Sequence, residues 1–339
     1  MKDVIVTYMM NGANENLGVA KKMNKILEVE NLDKFFKVPG GIVRAVNHVN
    51  FSIFEGETLG IVGESGCGKT TCGRTCIGMY EKSGGSVKFR EQEVERLKKT
   101  DRMAFTKQVQ CIFQDPFSSL NPRMTVKRIL EEGMLVHKIG ENQAERREMA
   151  EELLQKVGLK KEYEGRYPHE FSGGQRQRIG IARALSVDPE FIFCDEPISA
   201  LDVSVQAQIL NLLMELQEER RMTYMFVSHD ISMVHHISDR IAVFYMGRIV
   251  ELADADEICR HPVHPYTKAL LSAVPIADPW KAKDKKRIIM QGDVPSVMKC
   301  YEGCIFKDRC RYADGKCKCF DGELKEVEPG HLAACCHAE

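Results

Sequence analysis

The segment "GESGCGKTT", from Gly63 to Thr71, restricts the fold of this chain more than any other stretch. It fits the pattern G-x-x-x-x-G-K-[ST] and follows "ETLGIV", a near-continuous apolar run typical of a buried strand in a mostly parallel sheet. Its glycines allow successive backbone N–H groups to curve around a phosphate at the positive end of the following helix. We therefore predict a buried strand, a phosphate-binding loop and a helix, in that order, within an α/β fold.

Each residue of this loop is a candidate nucleotide contact. The Lys69 amine would reach the β- and γ-phosphates, and the Thr70 hydroxyl is placed to ligate Mg²⁺. Cys67 is interpreted as a small passive side chain in a loop whose backbone does the binding. The candidate residues are Gly63, Glu64, Ser65, Gly66, Cys67, Gly68, Lys69, Thr70 and Thr71.

A second motif, "FIFCDEP", begins at residue 191. Four apolar residues followed by two acids predict a buried strand that carries carboxylates at its carboxyl end. Asp195 would hold Mg²⁺, directly or through water, and Glu196 would orient and deprotonate the attacking water. An apolar run that ends in two acids is common by itself, but its position downstream of a phosphate-binding loop supports the functional interpretation.

A third motif, "FSGGQRQRIGIARAL", begins at Phe171 and opens a helix with a serine and two glycines. It is a second helix start that could face a phosphate. Two such helix starts can serve one γ-phosphate if the fold of a single chain brings them together. The alternative is that two chains meet head to tail and share the nucleotide.

The composition favours a protein of the cytoplasm. Lys and Arg number 48 and Asp and Glu 49, so the net charge of −1 gives no general attraction to nucleic acid. No stretch approaches the ~18–20 apolar residues of a membrane-spanning helix, and the N-terminus lacks the pattern of a secretion signal. Thiols stay reduced in the cytoplasm, so the 13 cysteines need another explanation than disulfides.

These motifs, together with "CIFQDP" and "VSHD", stand in an order that resembles the ATPase subunit of an ATP-binding-cassette (ABC) transporter. The resemblance covers residues 25–265 and implies a P-loop ATPase core that uses ATP and Mg²⁺. The expected fold is α/β, with a mixed sheet, N-terminal antiparallel strands and a helical subdomain inserted at about 115–174. We expect a flexible leader at 1–24, with translation starting at Met1 or Met23, and a C-terminal extension over 266–339.

The same resemblance implies roles for further residues. Gln114 would contact Mg²⁺ and link the site to membrane subunits, and His229 would contact the γ-phosphate. Phe36 would stack on adenine, with the adjacent Phe35 as the alternative. Two segments would act on the nucleotide held by the opposite subunit. They are the family signature "SGGQ" (Ser172, Gly173, Gly174 and Gln175) and the D-loop "SALD", which supplies Asp202.

Two longer motifs, "QDPFSSLNPRMTV" and "HPVHPYTKALLSAVP", resemble ATPase subunits of bacterial dipeptide and oligopeptide importers. The chain length and the segment "KVPGG" resemble the second, shorter type of these subunits. This resemblance implies a peripheral subunit on the cytoplasmic face of the cell membrane that powers peptide uptake. Its partners would be a homologous, non-identical ATPase, two permease subunits and an external solute-binding protein, with no nucleic acid. The alternatives are an importer of nickel or another small solute, and a soluble ATPase that acts on DNA or ribosomes.

The C-terminal tail is rich in cysteine, with seven of the thirteen in the last forty residues. Four of them match family positions that resemble ligands of a [4Fe–4S] cluster: Cys304, Cys310, Cys317 and Cys335. Four thiolates also suit zinc, and unliganded thiols are the third alternative. Cys319 could replace Cys317, and Cys336 could replace Cys335, while the role of Cys300 stays open. We expect a bound metal to stabilise this small tail, which has few large apolar side chains.

Overall fold

A computed structural model of the protein describes residues 24–275, 287–290, 292, 295–296, 298–299 and 301–338. Apart from Asn24, the expected leader at 1–24 lies outside the described residues, as do the alternative start at Met23 and Cys300. Among the described residues, no helix combines the length and the apolar composition needed to cross a membrane.

The N-terminal part of the chain forms a small antiparallel sheet. Its strands are β1 (Lys25–Val38), β2 (Gly41–Phe54), β4 (Gly84–Phe89) and β5 (Gln92–Glu93), in the spatial order β2-β1-β4-β5. The long β1–β2 hairpin turns at Pro39 and Gly40, where the positive φ of Gly40, 94°, suits a residue without Cβ. The prediction of N-terminal antiparallel strands is confirmed.

A larger mixed sheet of eight strands forms the centre of the molecule. Its members are β3 (Thr58–Val62), β6 (Val109–Ile112), β7 (Phe191–Asp195), β8 (Thr223–Ser228), β9 (Arg240–Tyr245), β10 (Arg248–Asp254), β11 (Lys325–Glu328) and β12 (His331–Ala333). The spatial order is β11-β12-β10-β9-β3-β8-β7-β6, and the strands from β9 to β6 run parallel. Every residue of β3, β7 and β8 is buried, which confirms the burial predicted for β3 and β7 from their apolar runs. The carboxyl ends of the parallel strands therefore meet at one edge of the sheet.

Ten α-helices surround these sheets in the described part of the chain. They are α1 (Lys69–Cys76), α2 (Val94–Thr100), α3 (Arg102–Gln108), α4 (Val126–Val136), α5 (Gln143–Lys156), α6 (Gly173–Leu185), α7 (Val203–Arg220), α8 (Ile231–Ile237), α9 (Ala255–Arg260) and α10 (Pro265–Ala273). Short 3₁₀ turns occur at Lys161–Gly165, Pro168–Glu170, Lys307–Arg309 and Lys316–Lys318.

Helices α4 and α5 lie between β6 and β7 in sequence, inside the region expected to be a helical insertion. Each begins at a capping side chain. The Thr125 hydroxyl accepts from the Arg128 N–H, and the Asn142 side-chain oxygen Oδ1 accepts from the Glu145 N–H at 3.0 Å. Such caps satisfy N–H groups that have no partner within the helix. Buried leucines of both helices, among them Leu130 and Leu154, join the core shared with α6.

The cysteine-rich tail does not build a core of its own. Strand β12 pairs antiparallel with β10, and the Phe306 ring lies edge-on to the Tyr245 ring with centroids 5.3 Å apart. Cys304, Phe306 and Cys317 belong to the same apolar cluster as the central sheet. The tail therefore buries its few apolar side chains against the main body of the protein.

A buried carboxylate anchors the tail to the central sheet. Glu251 on β10 is fully buried and accepts hydrogen bonds from the backbone N–H groups of Val263 and His264, at 2.6 and 3.0 Å. His331 Nε2, on β12, lies 2.8 Å from a Glu251 carboxylate oxygen. The carboxylate is thus satisfied from two segments, which compensates for the cost of burying it.

This contact predicts a pH-dependent contribution to stability. The hydrogen bond to Glu251 raises the pKa of the His331 imidazole, so the folded chain holds this proton more tightly than the unfolded chain does. The resulting stabilisation is complete below the unfolded pKa of about 6.5 and is lost as the pH rises through the folded pKa. We expect His331→Asn to lower Tm more at about pH 6 than at about pH 8.5, as measured by circular dichroism.

Comparing the Tm of the native chain with that of His331→Asn isolates the contribution of His331 to stability. Burial lowers the pKa of His264 to about 4, but both proteins carry that residue and its contribution cancels. The exposed His169 provides a matched control, since His169→Asn removes an imidazole far from Glu251 in sequence and outside this contact. An equal loss of Tm at both pH values would show that His331 does not act through its charge.

Candidate functional site

The loop between β3 and α1 has the geometry of a phosphate cradle. Gly68 has φ of 108°, and a Cβ atom at this position would lie 1.9 Å from the Ala45 carbonyl oxygen. A Cβ atom at Gly63 would lie 2.1 Å from the Phe244 carbonyl oxygen. Both contacts exclude a side chain, so glycine at these positions is required by the fit of the loop against β2 and β9.

Lys69 is the buried cation of this loop. Its side chain is 3% exposed, and the amine donates to the backbone carbonyls of Gly63 and Glu64 at 2.8 and 2.9 Å. The neighbouring Cys67 is buried, and burial raises the pKa of its thiol. The thiol is therefore held in the neutral form, which agrees with its interpretation as a passive side chain.

Asp195 and Thr70 come together although they are far apart in the sequence. The Thr70 hydroxyl donates to one Asp195 oxygen at 2.7 Å, and Arg74 donates to the other from Nε and Nη2, at 3.1 and 2.9 Å. The Asp195 carboxylate is fully buried, so the guanidinium supplies the opposite charge that such burial requires. Arg74 was missed by the sequence analysis; its position one helical turn after Thr70, on the same face, was the available signal.

Glu196 contacts three residues from β8 and from the segments that follow β6 and β8. Its backbone has φ of 46°, an unfavourable region for a residue other than glycine, and its N–H donates to the Val227 carbonyl at 3.1 Å. Gln114 Nε2 donates to a carboxylate oxygen of Glu196 at 3.0 Å, and His229 Nδ1 lies 3.5 Å from the same oxygen. The ends of β6, β7 and β8 thus bring three predicted site residues together.

The signature segment is arranged as a capping box at the start of α6. The Ser172 hydroxyl accepts from the Gln175 N–H at 3.4 Å, and the Gln175 side chain accepts from the Ser172 N–H at 3.1 Å. A Cβ atom at Gly174 would lie 2.4 Å from Val205, so this glycine permits close packing against α7. Gly173 lies beside Leu201 in the segment that precedes the exposed Asp202, the residue that caps α7.

The two helix starts do not meet within the described residues of one chain. None of the hydrogen bonds or ion pairs in that part of the protein joins the signature residues 172–175 to the loop 63–71. Of the two arrangements left open by the sequence, the one within a single chain has no hydrogen bond or ion pair to support it among the described residues.

The aromatic candidates for adenine lie near the end of β1. The half-buried Phe36 ring makes an edge contact with Tyr80, with centroids 5.7 Å apart, and the Lys34 amine lies 4.8 Å from its centroid. Tyr80 in turn accepts from Arg74 at 3.3 Å. Phe35 instead lies beside the Arg44 guanidinium, at 5.9 Å. Phe36 is therefore the ring connected to the residues around Asp195.

Cysteines of the tail gather around Cys317. Its thiol lies 3.4 Å from the thiol of Cys336, and its carbonyl accepts from the Cys304 N–H at 2.8 Å. Burial raises the pKa of Cys304 to about 11, and repulsion from the charges of Cys317, Cys335 and Cys310 adds to the shift. Cys304 therefore keeps its proton at neutral pH when no metal is bound.

A second donor set overlaps the first. Asp314, Cys317, Cys336 and His337 each offer a ligand atom, and these four atoms lie within 4.8 Å of one another. Cys319 is exposed, whereas Cys317 is buried. Asp314 and His337 were not among the predicted ligands, because the family resemblance indicated cysteines alone.

The fold and the site define an ATPase of the ABC class, and comparisons with known proteins agree. Residues 46–199 match the family model "ABC transporter", and residues 250–317 match "Oligopeptide/dipeptide transporter, C-terminal region". A solved dimeric ATP-binding cassette in a post-hydrolysis state, bound to ADP and Pi, superposes with a TM-score of 0.61 and 30% identity. The superposition covers 68% of this chain and 98% of that one.

Curated relatives place the chain more narrowly. The oligopeptide transport ATP-binding protein OppF of Bacillus subtilis is 51% identical over 316 residues, covering 93% of this chain and 97% of the relative. The corresponding protein AppF of the same organism is 48% identical and is covered over 98% of its length. The chain belongs to the ABC transporter family of ATP-binding proteins, and it is similar to members named for oligopeptide transport.

Proposed function

We propose that this chain is an ATP-hydrolysing subunit of an importer that carries dipeptides and oligopeptides across the bacterial cytoplasmic membrane. The single observation that carries this proposal is the 51% identity to an oligopeptide transport ATP-binding protein over 97% of that protein. The match of residues 250–317 to a C-terminal region of peptide transporters supports the same assignment.

The proposed hydrolysis uses groups that converge on one edge of the sheet. Lys69 binds the β- and γ-phosphates, and Phe36 packs against adenine. Mg²⁺, when bound, would neutralise phosphate charge and would be held by Thr70, Asp195 and Gln114, whose oxygen atoms suit this ion. The convergence of the Thr70 hydroxyl and the Asp195 carboxylate, 2.7 Å apart, supports that assignment.

Glu196 is the proposed general base. Its carboxylate takes a proton from water, the resulting oxygen attacks the γ-phosphorus, and ADP departs as the bond to the β-phosphate oxygen breaks. His229 contacts the γ-phosphate from the loop after β8. Gln114 donates a hydrogen bond to the Glu196 carboxylate and would link the nucleotide site to the membrane subunits.

We infer that two ATPase subunits clasp the nucleotide between them. The signature residues 172–175 and Asp202 of one subunit would complete the site of the other. The absence of contact between the signature and the phosphate-binding loop among the described residues of one chain supports sharing between chains. The expected partner is a related but non-identical ATPase, and closure of the pair would move two permease subunits fed by an external solute-binding protein.

Purification from native membranes tests the partners and the substrate. Affinity-tagged chain should recover two permease subunits and a second ATPase. Cells that lack the chain should lose uptake of a labelled tripeptide and regain it with the native gene. Recovery of ribosomes or DNA without permeases would contradict the proposal, and a loss confined to Ni²⁺ uptake would favour the small-solute alternative.

The tail is proposed to hold a [4Fe–4S] cluster on Cys304, Cys310, Cys317 and Cys335. The donor chemistry fits, because four thiols gathered in one segment match the ligands of such clusters. A cluster would supply cross-links between segments of a tail that has little core of its own.

The overlapping set of Asp314, Cys317, Cys336 and His337 favours a second candidate, a zinc ion. Mixed carboxylate, thiolate and imidazole donors are typical zinc ligands, and their atoms already lie within 4.8 Å of one another. Because Cys317 belongs to both sets, the two metals would exclude each other.

Metal analysis of anaerobically purified protein distinguishes the two candidates. We expect about four irons per chain and broad visible absorption, both lost in Cys310→Ser and retained in the exposed control Cys319→Ser. His337→Ala should leave the iron content unchanged. Stoichiometric zinc that is lost in His337→Ala would instead assign the site to the second donor set.

A further inference from the structure

Glu64, the second residue of the phosphate-binding loop, is held by three separate groups. Its backbone N–H donates to the Tyr266 hydroxyl at 2.9 Å, and its carbonyl accepts from the Lys69 amine at 2.9 Å. Its carboxylate binds the guanidinium of Arg309, which belongs to the cysteine-rich tail. The conformation of the loop at Glu64 is therefore determined partly by a residue 245 positions away.

The contact between Glu64 and Arg309 is bidentate. Arg309 Nη1 and Nη2 donate to the two carboxylate oxygens at 2.9 and 3.1 Å, and Nη1 lies 3.5 Å from the Tyr245 hydroxyl. The Arg309 side chain is 8% exposed and that of Glu64 is 24% exposed. Two parallel charge-assisted hydrogen bonds between partly buried side chains fix the orientation of the Glu64 carboxylate as well as its distance from Arg309. Among the basic side chains, only arginine offers this geometry.

The position of Arg309 depends on the folding of the cysteine segment. The residue ends a 3₁₀ turn, its N–H donates to the Phe306 carbonyl at 3.0 Å, and Cys310 follows it directly. Phe306 packs against Tyr245 and Tyr266, with ring centroids 5.3 and 5.6 Å apart. The same aromatic cluster thus supports the tail turn and the Tyr266 hydroxyl that binds the loop.

We propose that Arg309 is a positioning residue for the phosphate-binding loop, so that nucleotide binding and the fold of segment 301–310 are coupled. The inference rests on the proposed ATPase function, because it assigns a purpose to contacts at that site. Coupling between two sites is reciprocal: a tail that holds the loop strengthens nucleotide binding, and bound nucleotide stabilises the tail by the same factor.

Nucleotide affinity provides the first test. In the full chain, Arg309→Gln should raise the Kd for Mg–ADP about 5- to 30-fold, within the usual range of coupling between sites. In the assembled importer, KM for ATP should rise while kcat changes less than about threefold, because Arg309 does not touch the reacting atoms. The Kd of Arg309→Lys for Mg–ADP should lie between those of the native chain and of Arg309→Gln, because an amine replaces only part of the bidentate contact.

Arg311→Gln is the matched control. Arg311 is an exposed arginine two residues further along the same segment, and its guanidinium lies 6.0 Å from the Tyr312 ring. Its replacement should leave the Kd for Mg–ADP unchanged. Glu64→Gln supplies the opposite half of the pair, and the double variant should bind no more weakly than Arg309→Gln alone, as required for a shared contact.

Hydrogen exchange tests the reciprocal effect. Saturating Mg–ADP should slow exchange of the backbone amides of residues 304–310 in the native chain by the same factor by which Arg309→Gln raises Kd. In Arg309→Gln this protection should disappear. A role limited to stabilising the tail would lower Tm and leave both Kd and the nucleotide-dependent protection as they are.

The outcomes separate this inference from the proposed function. If Arg309→Gln folds and binds Mg–ADP with native affinity, the positioning role is wrong while the ATPase assignment stands. If Arg309→Gln does not fold, an unchanged Kd in Glu64→Gln equally shows that the positioning role is wrong. If the native chain binds neither ADP nor ATP, the proposed function itself is wrong.

Discussion

Replacement of Glu196 by glutamine should leave ATP binding intact while slowing hydrolysis about 10²- to 10⁴-fold, the range typical of a lost general base. Glutamine has nearly the same shape, so the contacts that Gln114 and His229 make around this position can be kept in part. The amide, however, cannot accept the proton of the attacking water. The chemical step is therefore affected far more than binding.

Two measurements on the same protein check this result. Equilibrium binding of Mg–ATP should give a Kd within about threefold of native, and single-turnover phosphate release should show the loss of rate. Glu215→Gln, at an exposed position on α7, is the control for charge removal and should hydrolyse normally. Native hydrolysis by Glu196→Gln would show that another group activates the water.

Replacement of Lys69 by alanine should weaken nucleotide binding about 10- to 100-fold and leave almost no hydrolysis. A hydrogen bond from a charged donor contributes about 1.5–3 kcal/mol, and the amine is expected to serve two phosphates as their charge develops. The effect on binding follows from the first role, and the larger effect on turnover follows from the second.

Folding must be measured alongside binding, because the Lys69 amine also ties the carbonyls of Gly63 and Glu64 together. Tm by circular dichroism separates a disordered loop from a lost phosphate contact. Lys107→Ala, at an exposed position on α3, is the control for loss of a lysine. If a well-folded Lys69→Ala binds nucleotide with native affinity, Lys69 does not bind phosphate.

Local patterns accounted for much of the fold. The apolar runs of β3 and β7 predicted fully buried strands, since a parallel strand covered on both faces has no polar side. The glycines of residues 63–68 predicted a loop that only residues without Cβ can form, and the steric fit of Gly68 against Ala45 gives the reason. Resemblance in the order of motifs added the class of protein, which the comparisons confirm.

The tail shows where local reasoning was insufficient. The family resemblance suggested four cysteine ligands, but His337 approaches Cys317 only after the chain has folded back through β11 and β12. The same applies to His331, whose partner Glu251 lies on a strand formed 80 positions earlier. A sequence pattern describes neighbours along the chain, and these contacts join residues from distant segments.

From the sequence alone came the phosphate-binding loop, the strand that leads to Asp195 and Glu196, and the helix that follows Ser172. Each depends on short-range physics: glycine conformations, the period of apolar residues, or a capping box. Only the tertiary structure placed Arg74 on Asp195 and Arg309 on Glu64, at 2.9 Å in each case. Those pairs form because packing of the sheet and of the tail turn buries one charge of each pair, Asp195 or Arg309, which then requires an opposite charge beside it.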